Sequence, residues 1–186
     1  LLNEDEKKLV SFKGVDATNY ASLEAALEGV EGSVCITTEG LMMYFAESEA
    51  QALCSNIRRI LVKHGGCWIT ADPEVSLTYM ATLKAVCGDR FMEVMMNAQR
   101  HASEKSDVSV GANSLMVQPQ APEESMKTAM LSFAKLGLKA ERMIIADYMP
   151  ELASLADEWK PVYLAAMKQL AFWKLTVSET GKAMDM

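Results

Sequence analysis

The chain has no Cys-x-x-Cys pair and only two histidines, His64 and His101, so Cys35, Cys54, Cys67 and Cys87 lack the spacing and partners of a metal site and read as buried or idle thiols. Positive charge is also scarce. Eighteen Lys and Arg stand against 25 Asp and Glu, a formal charge of -7, which leaves no electrostatic footprint for gripping phosphate backbones and sets the chain against an anionic membrane surface. Neither nucleic acid nor membrane is therefore expected as a partner. No apolar run approaches the roughly 20 residues that span a bilayer. No signal-peptide pattern opens the chain, because Leu1-Leu2 runs straight into Asn3-Glu4-Asp5-Glu6-Lys7-Lys8, and a reducing cytoplasm is the expected location. Without a Met at position 1, the chain is expected to be a piece of something longer. G-x-G-x-x-G and other phosphate-cradling loops are absent, which excludes a dinucleotide or ATP site of the usual kinds, and the G-x-S-x-G serine elbow is absent too.

What is present describes a globular protein: 186 residues, 50% hydrophobic and 23% charged, enough for one domain with a real core. Short β-like runs alternate with amphipathic helices, which predicts an α/β fold with a parallel sheet. Val10-Ser11-Phe12-Lys13-Gly14-Val15 reads as a first strand ending at Asp16. Thr18 or Asn19 then caps a helix with Leu23, Ala26, Leu27 and Val30 on one face. Ser33 to Thr38 is a β-branched run that predicts a buried strand, broken by Glu39-Gly40. Ala50, Leu53, Cys54, Ile57 and Leu61 recur at helical spacing between about Ser48 and His64, and Gly65-Gly66 stops that helix. Cys67 to Ala71 predicts the next strand, and strand, helix, strand over about forty residues is a right-handed crossover by default. Residues 75 to 113 read as a helical insertion. Beyond it, Pro122 opens a helix with Met126, Met130, Phe133 and Leu136 inward. Ala140 to Ile145 is strand-like, Leu152, Leu155, Val162, Ala166 and Leu170 mark short helices, and Phe172 to Val177 closes as a strand.

Ligands of open α/β sheets sit outside the carboxyl ends of the strands. That rule selects Asp16, Glu39 with Gly40, Asp72, and the polar residues near Asp147-Tyr148. A carboxylate at such an end can accept hydrogen bonds from a ligand's amine or hydroxyl groups; the alternative for any one of them is a turn or N-cap acid. Both histidines read as peripheral. The 14 methionines are mostly core filler, with a few in the insertion free to line an adaptable apolar pocket.

The stretch Ile36-Thr37-Thr38-Glu39-Gly40-Leu41-Met42-Met43-Tyr44-Phe45 resembles the signature of the leucine carboxyl methyltransferases and polyketide O-methyltransferases: Glu-Gly, two apolar residues, any residue, then Tyr and Leu or Phe. Gly14-Val15-Asp16-Ala17 resembles the family's Val-Asp element, and Glu49 to Leu61 its following amphipathic helix. Gly65 to Asp72 resembles the next strand, and Phe172-Trp173-Lys174 the closing one. The resemblance is specific from about Gly14 to Pro73.

It implies a Rossmann-like class I methyltransferase sheet, mainly parallel with a C-terminal antiparallel strand, and S-adenosylmethionine as cofactor. The whole chain, 1–186, would be a single partial domain with the 75–113 insertion covering the acceptor pocket, lined by Met80, Phe91, Met95 and Met96. By the same resemblance, Asp16 and Ala17 meet the adenine edge, Glu39 and Gly40 lie beside the methionine and sulfonium portion, and Tyr44 approaches the transferred methyl. The family's N-terminal strands, with the glycine loop and the ribose-binding acid, are missing. Its strand order is 3-2-1-4-5-7-6, so the strand ending at Asp16 would be the third and Val34 to Thr38 the fourth, with a gap between them. Such an open edge predicts association, either as a homo-oligomer or with the missing N-terminal part, in preference to the Asp16 strand sliding across.

Methyl transfer from a sulfonium is an in-line displacement in which alignment dominates, and a carboxylate acceptor needs no base at neutral pH. With no general base evident in the chain, the expected acceptor is a carboxylate or acidic hydroxyl of a small molecule or protein. The competing reading is a catalytically inert partial α/β domain that serves as a binding or assembly module.

Overall fold

The computed structural model describes residues 9–75, 77, 88–90, 93–94, 97, 113–149, 156–158, 160–168 and 170–179. Most of the expected insertion, with Met80, Phe91, Met95, Met96 and His101, lies outside the described residues, as do Cys87, Leu152 and Leu155.

Among the described residues four strands form one sheet. They are β1 (Val34–Thr38), β2 (Gly66–Thr70), β3 (Leu138–Ile144) and β4 (Ala171–Val177), in the order β1–β2–β4–β3. Val34 to Thr38 pairs parallel with Gly66 to Thr70, whereas β4 runs against both β2 and β3. Three strands therefore point one way and the C-terminal strand the other. Among the described residues the helices are α1 (Tyr20–Ala26), α2 (Glu47–His64), α3 (Pro122–Lys135) and α4 (Lys160–Met167). The fold is α/β with a mixed sheet.

Local chemistry sets the boundaries. Asn19 caps α1 by accepting the Ser22 N–H, and Glu49 reaches back to the Ala46 N–H at the start of α2. Gly65, at φ 74°, ends α2 in a backbone region open to glycine, and Pro122 occupies the first turn of α3. Alternation then sorts the sheet. Val34, Trp68, Leu138, Ala171, Trp173 and Leu175 are buried and share one face with Thr70. Ala50, Leu53, Cys54, Ile57, Ile60 and Leu61 of α2 pack with that face in a single cluster. Phe133 of α3 stands between Trp68 and Trp173, with ring centroids 6.0 and 5.9 Å apart. Cys35, Thr37, Cys67, Ile69, Phe172 and Lys174 lie on the opposite face, outside the core cluster of the described residues.

Two expectations are corrected. Val10 to Val15 forms no strand: Leu9 and Phe12 are 86% and 95% exposed. Apolar alternation holds a strand only when an edge and a packed face receive it, and here the chain turns at Asp16 onto α2 instead. Asn56 of α2 donates to the Ala17 carbonyl, the Arg59 guanidinium lies 3.4 Å over the Tyr20 ring, and Lys63 pairs with Glu24 at 2.8 Å. Met130 faces outward, because Ala129 and Phe133 take the inner face of α3. β1 is thus an edge strand with β2 as its sole partner among the described residues.

Cys54 sits in the core, and burial pushes its thiol up to about 12. Below the usual thiol range its contribution to stability is complete, and it is lost as pH rises toward 12. Stability should therefore fall by about 1.4 kcal/mol per pH unit across that window. Urea midpoints followed with pH for the wild type and Cys54→Ala isolate the effect: the variant should start lower and lack the additional slope.

Candidate functional site

β1 and β2 are parallel and in register, so the residues that follow them emerge at the same end of the sheet. Thr38 and Thr70, the last pair, are joined through their hydroxyls at 2.9 Å, and the Trp68 indole N–H donates to Thr38 Oγ1 at 3.0 Å. Glu39-Gly40 follows as a turn, with Gly40 at φ 66° and open space where a Cβ would stand. The chain then passes through Leu41 into a short 3-10 turn, Met42–Tyr44, whose Met42 is fully buried.

Asp72 fixes that loop. Its carboxylate, 0% exposed, accepts the Leu41 N–H at 3.3 Å and the Met42 N–H at 3.1 Å, and its own N–H donates to Thr70 Oγ1 at 3.0 Å. The far side of the loop is held by Asn113, which donates to the Met42 and Phe45 carbonyls at 2.8 and 3.1 Å. Ser114 donates from both its N–H and its hydroxyl to Glu47 at the start of α2. Burial raises the Glu47 carboxyl, but the Ser114 and Gln51 donors outweigh it and hold the group below its usual value. Glu39 is consequently pinned by its backbone on both sides while its side chain is exposed and makes no hydrogen bond among the described residues. Tyr44 is 59% exposed on the same loop.

Of the carboxylates expected at one sheet end, Glu39 and Asp72 share it and Asp16 does not follow a strand. Asp16 lies beside the middle of α2, where its Oδ1 accepts the Thr18 hydroxyl and N–H at 2.7 and 2.9 Å, and those bonds lower its pKa. Asn56 is nine residues into α2, about 14 Å along the helix from the Glu39 loop's entry. Asp72 cannot serve a ligand, since its oxygens are buried against the loop backbone. Asp147 ends a 3-10 turn after β3, with Tyr148 exposed beside it. His64 closes α2 at the other end of the sheet, beside the groove formed with α1 by Glu24, Glu28 and Lys63.

A second buried acid, Glu74, was not singled out by sequence. It takes the Arg142 guanidinium at 2.6 and 2.8 Å and the Trp173 indole N–H at 2.7 Å, joining the turn after β2 to β3 and β4. The available signal was Arg142 itself, which shares its strand face with Ala140 and Ile144. Among the described residues no group of three or more His, Cys, Asp or Glu gathers into a metal site, and no helix is long and apolar enough to cross a membrane. No protein-family model, curated protein or solved structure matches the chain.

Proposed function

We propose that this chain carries the C-terminal part of an S-adenosylmethionine-dependent O-methyltransferase domain of the cytoplasm and supplies one wall of its cofactor site. The observation that carries the reading is the Glu39–Gly40 turn: an unpartnered carboxylate at the carboxyl end of a parallel strand, on a backbone fixed by Asp72, Thr38 and Thr70. The strand order adds support. β1–β2–β4–β3, with β4 reversed, coincides with the 4-5-7-6 half of the sheet that the sequence resemblance implies.

The residues fit the cofactor. Glu39 has both oxygens open to an ammonium or hydroxyl donor, Gly40 adds no side chain to crowd it, and Asp16 retains an Oδ2 without a hydrogen bond. S-adenosylmethionine supplies a methyl group on a sulfonium, which leaves as a neutral thioether. Glu39 would orient the amino-acid and sulfonium portion through charge-assisted bonds, Asp16 and Ala17 would be the residues to meet the adenine edge, and the Tyr44 hydroxyl would position the acceptor oxygen. Because a carboxylate acceptor arrives already ionised, these residues need only align it. The acceptor is a small molecule or protein bearing a carboxylate or hydroxyl.

Calorimetry on the protein expressed from its complete reading frame tests the assignment. Each charge-assisted hydrogen bond to Glu39 is worth about 1.5–3 kcal/mol, so Glu39→Ala should weaken S-adenosylmethionine binding by about 10- to 150-fold. An unchanged affinity refutes the role of Glu39.

The open edge of β1 bears on the partners. Among the described residues no strand pairs with the outer edge of β1, and a row of unpaired donors and acceptors is a template for another strand, so the chain associates through β1 with a second copy or with the N-terminal part of the domain. Light scattering on the 186-residue chain at micromolar concentration should give a mass above the monomer. A stable monomer with Val34 to Thr38 protected from hydrogen exchange contradicts this. The same edge is what favours the second reading, an inert assembly module, which predicts association without any cofactor binding.

A further inference from the structure

We propose that Cys35 and Cys67 form a dithiol site that closes to an intrachain disulfide when a low-molecular-weight disulfide such as oxidised glutathione rises. The two residues stand directly opposite each other on parallel β1 and β2, and their sulfurs are 3.9 Å apart, the Cys67 thiol donating to Cys35. Neighbouring strands lie about 4.8 Å apart, inside the Cα separation that a disulfide spans, so side-chain rotation can bring the sulfurs to bonding distance without moving the strands.

The opposition is enforced one position earlier. Gly66 has φ 98°, and a Cβ there would fall 1.9 Å from the Val34 carbonyl oxygen, so the backbones approach as only glycine permits. That contact locks Val34 to Gly66, and the next pair is Cys35 with Cys67. Both sulfurs lie on the face of the sheet away from the core. Cys35 is exposed and Cys67 half-buried, whereas Cys54 is enclosed on the inner face of α2.

The chemistry balances with the oxidant named. The Cys35 thiolate attacks one sulfur of glutathione disulfide and a glutathione thiolate leaves. The Cys67 thiolate attacks the Cys35 sulfur of the mixed disulfide, and the second glutathione thiolate leaves. The two protons from the cysteines pass to the two glutathione thiolates. Two protein thiols are oxidised and one glutathione disulfide is reduced; excess glutathione reverses the reaction. The new bond fastens the edge strand β1 to β2 and is independent of the methyl-transfer reading.

Incubation with oxidised glutathione, acid quench and non-reducing peptide mapping test the proposal. The wild-type chain should lose two thiols and the mass of two hydrogen atoms. One cross-linked peptide pair should contain Cys35 and Cys67, and dithiothreitol should restore both thiols. Cys35→Ser and Cys67→Ser, with unchanged circular dichroism, should each lose the cross-link completely and stop at one glutathione adduct on the remaining cysteine of the pair. Wild-type protein that stops at glutathione adducts, links Cys35 to Cys87 or to another chain, or keeps its thiols unreacted overturns the proposal.

Discussion

Arg142→Met is expected to destabilise the fold by about 3–5 kcal/mol, because it leaves the Glu74 carboxylate buried without its cation. The Glu74 side chain is 2% exposed, and Arg142 meets both of its oxygens in a bidentate fork. Trp173 adds a neutral donor, which does not replace the lost cation. The Arg142 side chain is one quarter exposed, and water admitted at that side places the loss toward the lower end of the range. The hydrogen bond to Glu74 also raises the Arg142 pKa further, so the guanidinium stays charged. Removing the charge with the partner should repair most of the damage: Glu74→Gln combined with Arg142→Met leaves an acceptor for Trp173 and no orphaned ion. Urea midpoints of the two variants decide the matter. A single variant within about 0.5 kcal/mol of the wild type would mean that the pair is not the clasp between the β2 turn and the sheet.

Asp72→Ala has the next largest expected effect. The substitution strands the half-buried Leu41 and the buried Met42 N–H groups, and each unsatisfied donor costs about 1–3 kcal/mol. The summed loss is about 2–5 kcal/mol once some relaxation of the loop toward water is allowed. Asp72→Asn, with one carbonyl oxygen left to accept, should lose about half as much. Hydrogen exchange at Leu41 and Met42 should accelerate in both variants, whereas Glu39→Ala, at an exposed side chain without partners, should leave stability and exchange unchanged. That contrast separates a residue that builds the site from one presented by it. If Asp72→Ala leaves exchange at Leu41 unaltered, the loop is held by Asn113 and Met42 burial instead.

The elements with strong periodicity were legible in the sequence. β1, α2, β2, α3, β3 and β4 lie within about two residues of where β-branched runs, helical spacing and the Gly65 and Pro122 signals put them. Val10 to Val15 was not, because its alternation says nothing about whether a packed face receives it, and Asn56 and Arg59 instead draw the following turn onto α2. Asp72 and Glu39 looked alike as acids after strands. What separates them is the Leu41–Met42 backbone folding back over β2, a contact across thirty residues that local pattern does not carry. Glu74 and Arg142 are 68 residues apart and meet only when β3 joins the sheet beyond β4. The local rule, that ligands gather at the carboxyl ends of parallel strands, selects acids by position alone and does not tell that Asp16 follows no strand or that Asp72 is enclosed by the loop backbone.

The most direct measurement is photolabelling of the protein expressed from its complete reading frame with S-adenosylmethionine carrying a radiolabelled methyl group, followed by peptide mapping. The label should fall on the peptide containing Glu39 to Tyr44, compete with S-adenosylhomocysteine, and drop at least about tenfold in Glu39→Ala, matching the lost charge-assisted bonds. Label that is absent, or that maps only outside Glu39 to Tyr44 and is indifferent to Glu39→Ala, contradicts the placement of the cofactor at the end of β1.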